Sequence, residues 1–154
     1  MISELYLEDL KNMTKDFFKK TSFDLEVNFP ESKEEGVFSV AVKTDDPQIL
    51  IGEGGQTLVD MQHILRRILS RKVDVVFYLD LDINEYKKKK AEFLKEIARS
   101  AAEEVMFSRK EKELSPMRAF ERRIIHLELE DRTDIKTESI GEGENRRVVV
   151  KSNV

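Results

Sequence analysis

The 154-residue sequence contains no cysteine, so neither disulfides nor thiolate metal sites are open to it. It has no N-terminal apolar stretch of signal-peptide character and no composition that suggests membrane insertion, which makes a soluble cytoplasmic protein the expectation. Only two histidines occur. His63 and His126 stand far apart without obvious carboxylate partners, which argues against a metal site and against histidine-based catalysis. Clustered carboxylates and a nucleophile with its base are missing too, so no catalysis and no cofactor are expected. Finally, there is no large excess of positive charge: 27 Lys and Arg face 31 Asp and Glu, net −4. Residues 1–82 hold 10 against 16 (net −6) and residues 83–154 hold 17 against 15 (net +2), which together make that −4. Any grip on a polyanion must therefore be local.

What is present is dense periodicity. Leu5, Leu7, Leu10, Met13, Phe17 and Phe18 recur at spacings of three and four, predicting an amphipathic helix over 3–20. Phe23, Leu25, Val27 and Phe29 alternate with polar residues, as do Phe38, Val40 and Val42, so two strands within 22–29 and 36–44 pair as a hairpin. "DDPQILIG" reads as a single short helical turn, with Asp46 as cap, Pro47 at the first helical position and Gly52 as the stop. A helix follows over 56–70, and "KVDVVFYLDLD" returns to strand. A long helix over about 84–108, with Asn84 as a possible cap, carries Tyr86, Phe93, Leu94, Ile97, Ala98, Ala101, Ala102 and Val105 along one stripe. A second helix is expected from the Ser115 cap and Pro116 to about Asp131, then two strands, "DIKTESI" and "RRVVVKS", joined across "GEGEN". Two closely coupled α+β domains result, 1–82 and 83–154.

Two features carry chemistry. Gly52-Glu53-Gly54-Gly55 lies between two helices. It is neither a dinucleotide fingerprint nor a P-loop, which need other glycine spacings or a Gly-Lys-Ser/Thr ending. Glycine lets a backbone approach a phosphodiester, and the amides at the start of the following helix, from Gln56 on, point toward anionic oxygens. The plain alternative is a tight turn. The second feature is Arg122 and His126, four residues apart and so neighbours on a helix. At roughly 100° per residue, Arg118, Arg122 and His126 form a stripe opposite Met117, Phe120, Ile124 and Leu127, predicting a cationic face turned away from the core. Arginine holds phosphate bidentately, and an imidazole can donate to it or stack on a base. A solvated face pairing with Glu121 or Glu130 is the alternative. The lysine run 87–90 reads as solvated, and Arg146 and Arg147 as a possible border of the Arg122 face.

A Gly-x-x-Gly loop in the order αββααβ is the arrangement of a type II KH domain. "SPMRAFERRIIHLEL" with "TESIGEGENRRVVV" resembles the R-3-H single-stranded nucleic-acid-binding domain, a small α/β unit with a short, mostly antiparallel sheet. In this order the two resemble the bacterial Jag/KhpB family over nearly the whole chain. The resemblance implies a cytoplasmic RNA-binding regulator bearing on cell elongation, division or envelope assembly. Single-stranded RNA or DNA would be the ligand, and a small separate KH protein or a second copy a possible partner. Its candidate contacts are Gly52, Glu53, Gly54, Gly55 and Gln56 in the first domain and Arg118, Arg122, Arg123 and His126 in the second. The basic residue common inside such loops is replaced by Glu53 and Gly54, which predicts a weak grip there. The additional N-terminal domain of many members has no counterpart in these residues, and functions tied to it are not carried over. The rival reading is an adaptor that uses the KH fold for dimerisation or docking.

Overall fold

The computed structural model describes Ile2 and residues 4–153. Ser3, which the periodicity includes in the first helix, lies outside the described residues, as do Met1 and Val154 at the limits of the expected domains. The chain divides into two compact units, Met1–Lys87 and Lys88–Val154.

The first unit runs α1 (Glu4–Lys19), β1 (Glu26–Asn28), β2 (Val37–Lys43), α2 (Pro47–Ile51), a 3-10 turn (Glu53–Gly55), α3 (Gln56–Leu69) and β3 (Tyr78–Ile83). This is the expected αββααβ order. Its sheet has the order β1-β2-β3, antiparallel between β1 and β2 and parallel between β2 and β3, with Val37 opposite Tyr78 and Val42 opposite Ile83. The parallel step requires a crossover, and α2, the glycine turn and α3 supply it. Alternation along the strands turns Phe38, Val40 and Val42 of β2 and Leu79, Leu81 and Ile83 of β3 to one buried face. There they pack with Leu10 and Phe18 of α1 and Leu58, Leu65 and Leu69 of α3.

Four details depart from expectation. The first strand is shorter than 22–29 because its partner ends at Lys43 on one side and the chain leaves the partner after Asn28 on the other. The main chain of Thr44 is taken by Asn84, whose Oδ1 accepts from Thr44 N (3.0 Å) and whose Nδ2 donates to Thr44 O (2.8 Å). Phe29 leaves the ladder to stack on Phe38 at 5.7 Å between centroids, and Pro30 has no N–H to offer. The strand expected from Lys72 starts only at Tyr78, whose N–H reaches Gly36 O (2.9 Å) just before β2 begins; among the described residues no strand lies opposite 72–77. Asn84 does not cap the long helix. It sits at φ +50, a left-handed position that Asn tolerates, and Asp82 Oδ1 instead accepts from Lys87 N (3.2 Å). Asp46 makes no side-chain cap bond, although Pro47 and Gly52 flank α2 as expected.

The boundary between units falls inside α4 (Tyr86–Ser108) rather than after Asp82. Tyr86 packs against the first core, and Lys87 Nζ bonds Asp80 and Gln62. The second unit continues with β4 (Lys112–Glu113), α5 (Ala119–Glu128), β5 (Ile135–Ile140), a 3-10 turn (Gly143–Asn145) and β6 (Arg147–Ser152). Its sheet is antiparallel throughout in the order β4-β6-β5. Leu94, Ala98, Ala101, Ala102 and Val105 of α4 pack with Ile125 and Leu129 and with Ile135, Val148 and Val150. Phe93, expected in that stripe, is 56 % exposed. β4 has no signal in the sequence, since two charged residues form it. No helix of the described residues is long and apolar enough to cross a membrane.

Candidate nucleic-acid interface

The helix that carries Arg122 and His126 starts later than expected. Leu114 N donates to Val148 O (2.9 Å) and Met117 N to Arg146 O (3.0 Å), so residues 112–117 run extended along β6 and cannot also begin a helix. Arg118, not Ser115, is the N-cap of α5, at ψ 161. Its main-chain N–H donates to Glu121 Oε2 (2.8 Å), the reciprocal half of a capping box. Glu121 is buried, and its other oxygen lies 3.3 Å from Lys90 Nζ.

This start also fixes which face of α5 is inward, and it coincides only in part with the expected one. Glu121, Ile125 and Leu129 are buried, whereas Phe120 is 54 % and Leu127 55 % exposed. Of the stripe assigned to the core, Met117 and Ile124 are partly buried against it, whereas Phe120 and Leu127 lie outward beside exposed Arg123. Arg118, Arg122 and His126 are half-buried on the inward flank. The buried carboxylate of Glu121, satisfied by Arg118 N and Lys90, is what lets a charged residue take a core position where the apolar pattern places Phe120.

Arg122 Nη1 donates to Met117 O (2.9 Å), which anchors the guanidinium at the start of its own helix. His126 is held on both sides: Nδ1 lies 2.7 Å from Thr137 Oγ1 and Nε2 2.9 Å from Ser139 Oγ. Thr137 and Ser139 are two apart on β5 and so share a face. Burial, and to a lesser degree the positive charge of Arg122, hold the imidazole below its usual pKa. At neutral pH the ring is uncharged, with one nitrogen donating and the other accepting. It is a brace between α5 and β5, and neither nitrogen is open to a phosphate. The two hydroxyls were missed in the sequence. Their i, i+2 spacing in an expected strand puts them on one face, but nothing local says that His126 lies over it.

The remaining candidates, Gly52 to Gln56, belong to the first unit. Gly52, Gly54 and Gly55 all have positive φ, at +72, +57 and +82. A Cβ on Gly52 would lie 2.1 Å from Thr57 Oγ1, and one on Gly55 3.0 Å from the Tyr86 ring, so both glycines are needed for packing as well as for backbone angle. A Cβ on Gly54 would meet nothing within 4 Å. Gly54 and Glu53 are exposed, so the outer side of the loop is open to a ligand backbone. Gln56 Nε2 reaches Asp60 Oδ1 (2.8 Å), and with Asp45, Asp46 and Glu53 also exposed, the surface near this loop is rich in carboxylates. Among the described residues no group of three His, Asp or Glu is placed to hold a metal ion.

The family model for the R-3-H domain matches residues 92–152. The RNA-binding protein KhpB of Clostridium symbiosum is 32 % identical over 127 residues, 82 % of this chain and 56 % of that protein. The protein of the same name from Bacillus subtilis is 36 % identical over 104 residues, 66 % of this chain and 50 % of its own. The one from Lactiplantibacillus plantarum is 34 % identical over 102 residues, 66 % of this chain and 32 % of its own. The chain thus spans about half the length of the first two of these relatives. With a KH-like αββααβ unit ahead of the matched R-3-H domain, the chain belongs to the KhpB family.

Proposed function

We propose that this chain binds single-stranded RNA in the cytoplasm and catalyses no reaction on it. The observation that carries this reading is the arginine pair at the start of α5. Arg122 is anchored by a neutral main-chain carbonyl rather than by a carboxylate, so its charge is not neutralised by its anchor. By contrast, Arg99, Arg132 and Arg147 are each paired with an acid. The relatives' shared name, RNA-binding protein, supports the choice of ligand. Arg122 and Arg118 are the phosphate contacts in this reading, Arg123 an outer one, and His126 the brace that holds α5 against β5. The loop Gly52 to Gln56 is a second, weaker contact, limited by Glu53. The regulatory part in cell elongation, division or envelope assembly that the resemblance implies would act through that RNA. Titrating the chain into a labelled single-stranded RNA at several salt concentrations tests the reading. Salt-dependent binding that Arg122→Ala weakens supports it, and absence of binding at low salt refutes it.

A second reading, an adaptor that pairs with another copy or with a small KH protein, is favoured by one surface. On α3, Ile64 is 55 % and Ile68 39 % exposed, with Asp60 toward the N-terminal end and Arg67 toward the other. Two such helices laid antiparallel about Ile64 would set Asp60 of each beside Arg67 of the other. Ile64→Asp should then convert a dimer to a monomer in light scattering, and a monomeric unsubstituted chain would remove self-pairing from consideration.

A further inference from the structure

We propose that Arg146 is a phosphate-binding residue that acts together with Arg122, so that the R-3-H unit holds one RNA strand through two guanidiniums on the same side of its sheet. This deepens the RNA-binding reading and rests on it.

The geometry begins in the β5–β6 turn. Gly141 has φ +81, and a Cβ there would lie 2.7 Å from Asn145 O, so the turn closes only with glycine at this position. Asn145 N then donates to Glu142 O (3.1 Å) and Arg146 N to Gly143 O (3.3 Å). The "IGEG" segment at 140–143 thus has a definite task, which is to deliver Arg146 to the start of β6. There Arg146 O accepts from Met117 N (3.0 Å), and Met117 O accepts from Arg122 Nη1 (2.9 Å). One residue bridges the main chain of Arg146 and the guanidinium of Arg122, a path of about 9 Å at most.

The side on which Arg146 stands follows from the strand. Arg146 is extended, at φ −71 and ψ 127, so its side chain alternates with that of Arg147. Arg147 is on the face away from the helices, with Nε on Glu113 Oε2 (2.6 Å) and Nη1 on Asn145 O (3.1 Å). Val148, next in the alternation, packs into the core beneath α4 and α5. Arg146 therefore shares the α5 side, where Ser139, opposite Val148 in the ladder, meets His126.

Its charge is also unspent. Arg146 is exposed and makes no ion pair among the described residues, although Glu142 and Glu144 are exposed in the same turn. Glu121, the buried acid at the start of α5, is committed to Arg118 N and Lys90. Met117 thus links the main chain of Arg146 to the guanidinium of Arg122, and two arginine charges on the same side of the sheet repel one another until an anion arrives. A phosphodiester strand supplies regularly spaced anions, and arginine forks suit phosphate oxygens.

The test uses the full chain and a fluorescein-labelled 12-nucleotide oligouridylate, with anisotropy read at several salt concentrations. Arg146→Ala should weaken binding roughly five- to tenfold at physiological salt and reduce the slope of log K against log salt by about 0.7, the share of one phosphate on a single strand. Arg147→Ala removes the same charge one residue away on the opposite face and should leave the slope unchanged. The inference is overturned if Arg146→Ala binds like the unsubstituted chain, or if Arg147→Ala loses as much, which would show a response to net charge alone. It is overturned too if polyglutamate of equal length displaces the RNA at equal concentration, since the site would then read carboxylates as well as phosphates. A chain that binds no oligouridylate even at low salt overturns the RNA-binding reading itself; intact binding with an unaffected Arg146→Ala overturns this inference alone.

Discussion

Replacing Glu53 by lysine isolates the contribution of the glycine loop. Glu53 is exposed, its neighbour Gly54 is open on its outer side, and neither is part of the core, so folding stability should stay within about 0.5 kcal/mol. If RNA lies against the loop, the carboxylate and a phosphate about 4 Å away repel by about 1 kcal/mol in water. Reversing the sign doubles the change to about 2 kcal/mol before screening. At physiological salt the Debye length is about 8 Å, which leaves about 0.6 of that interaction, or about 1.3 kcal/mol, close to tenfold in affinity. At 1 M salt the Debye length is about 3 Å and the gain should fall to two- or threefold. The assay is titration of a labelled single-stranded RNA with both proteins at each salt concentration. Equal affinities at low salt would show that no phosphate approaches this loop. A gain that persists unchanged at 1 M would show that lysine acts by something other than charge.

Three further outcomes follow from named contacts. Gly52→Ala should lower the urea midpoint more than Gly54→Ala: both lose a positive φ, about 1–2 kcal/mol, but only the first also strikes Thr57. His126 should make the protein less stable as pH falls. Its folded pKa is depressed, so the unfolded chain binds the proton more readily. The stabilisation is complete above about 6.5 and declines as pH drops toward the folded value. Melting temperature between pH 7 and 5 should fall for the unsubstituted chain and much less for His126→Asn, and parallel curves would refute the burial of that ring. Asp134 and Glu138 are also depressed, by Arg132 and by Lys151 with Lys136, but they lose charge only below the ordinary carboxylate range and so do not confuse this window. Finally, RNA affinity should not rise between pH 7 and 6, because both ring nitrogens are taken by Thr137 and Ser139; a clear rise would place a protonated imidazole on phosphate after all.

The limits of reading this sequence lie in α5. Periodicity finds the helix, and the four-residue spacing rightly sets Arg122 beside His126. Choosing its inward face by counting apolar residues puts Phe120 and Leu127 in the core, because hydropathy does not foresee that a glutamate will be buried there against Lys90 and a main-chain N–H. The same competition moved the start of the helix. Ser115 and Pro116 form a good local start signal, but β6 claims the donors of Leu114 and Met117, and tertiary hydrogen bonds override the local preference. Short strands fail for a related reason. Lys112 and Glu113 pair with Val150 and Val149 only because β6 is already there.

Periodicity yields the αββααβ order of the first unit and α4, α5, β5 and β6 of the second, because 2.0 and 3.6 residue periods are local properties of the chain, while β4 escapes it. Sequence also places the glycine turn between two helices, since Pro47 and Gly52 set the limits of α2 from within. What the charged side chains face is set by the packing of one element on another. Whether His126 meets solvent or the hydroxyls of Thr137 and Ser139, and whether Arg146 or Arg147 turns toward α5, depends on which strand lies beneath the helix and in what register. Those are relations between segments far apart in sequence, and a shift of one residue in register would exchange the two arginines.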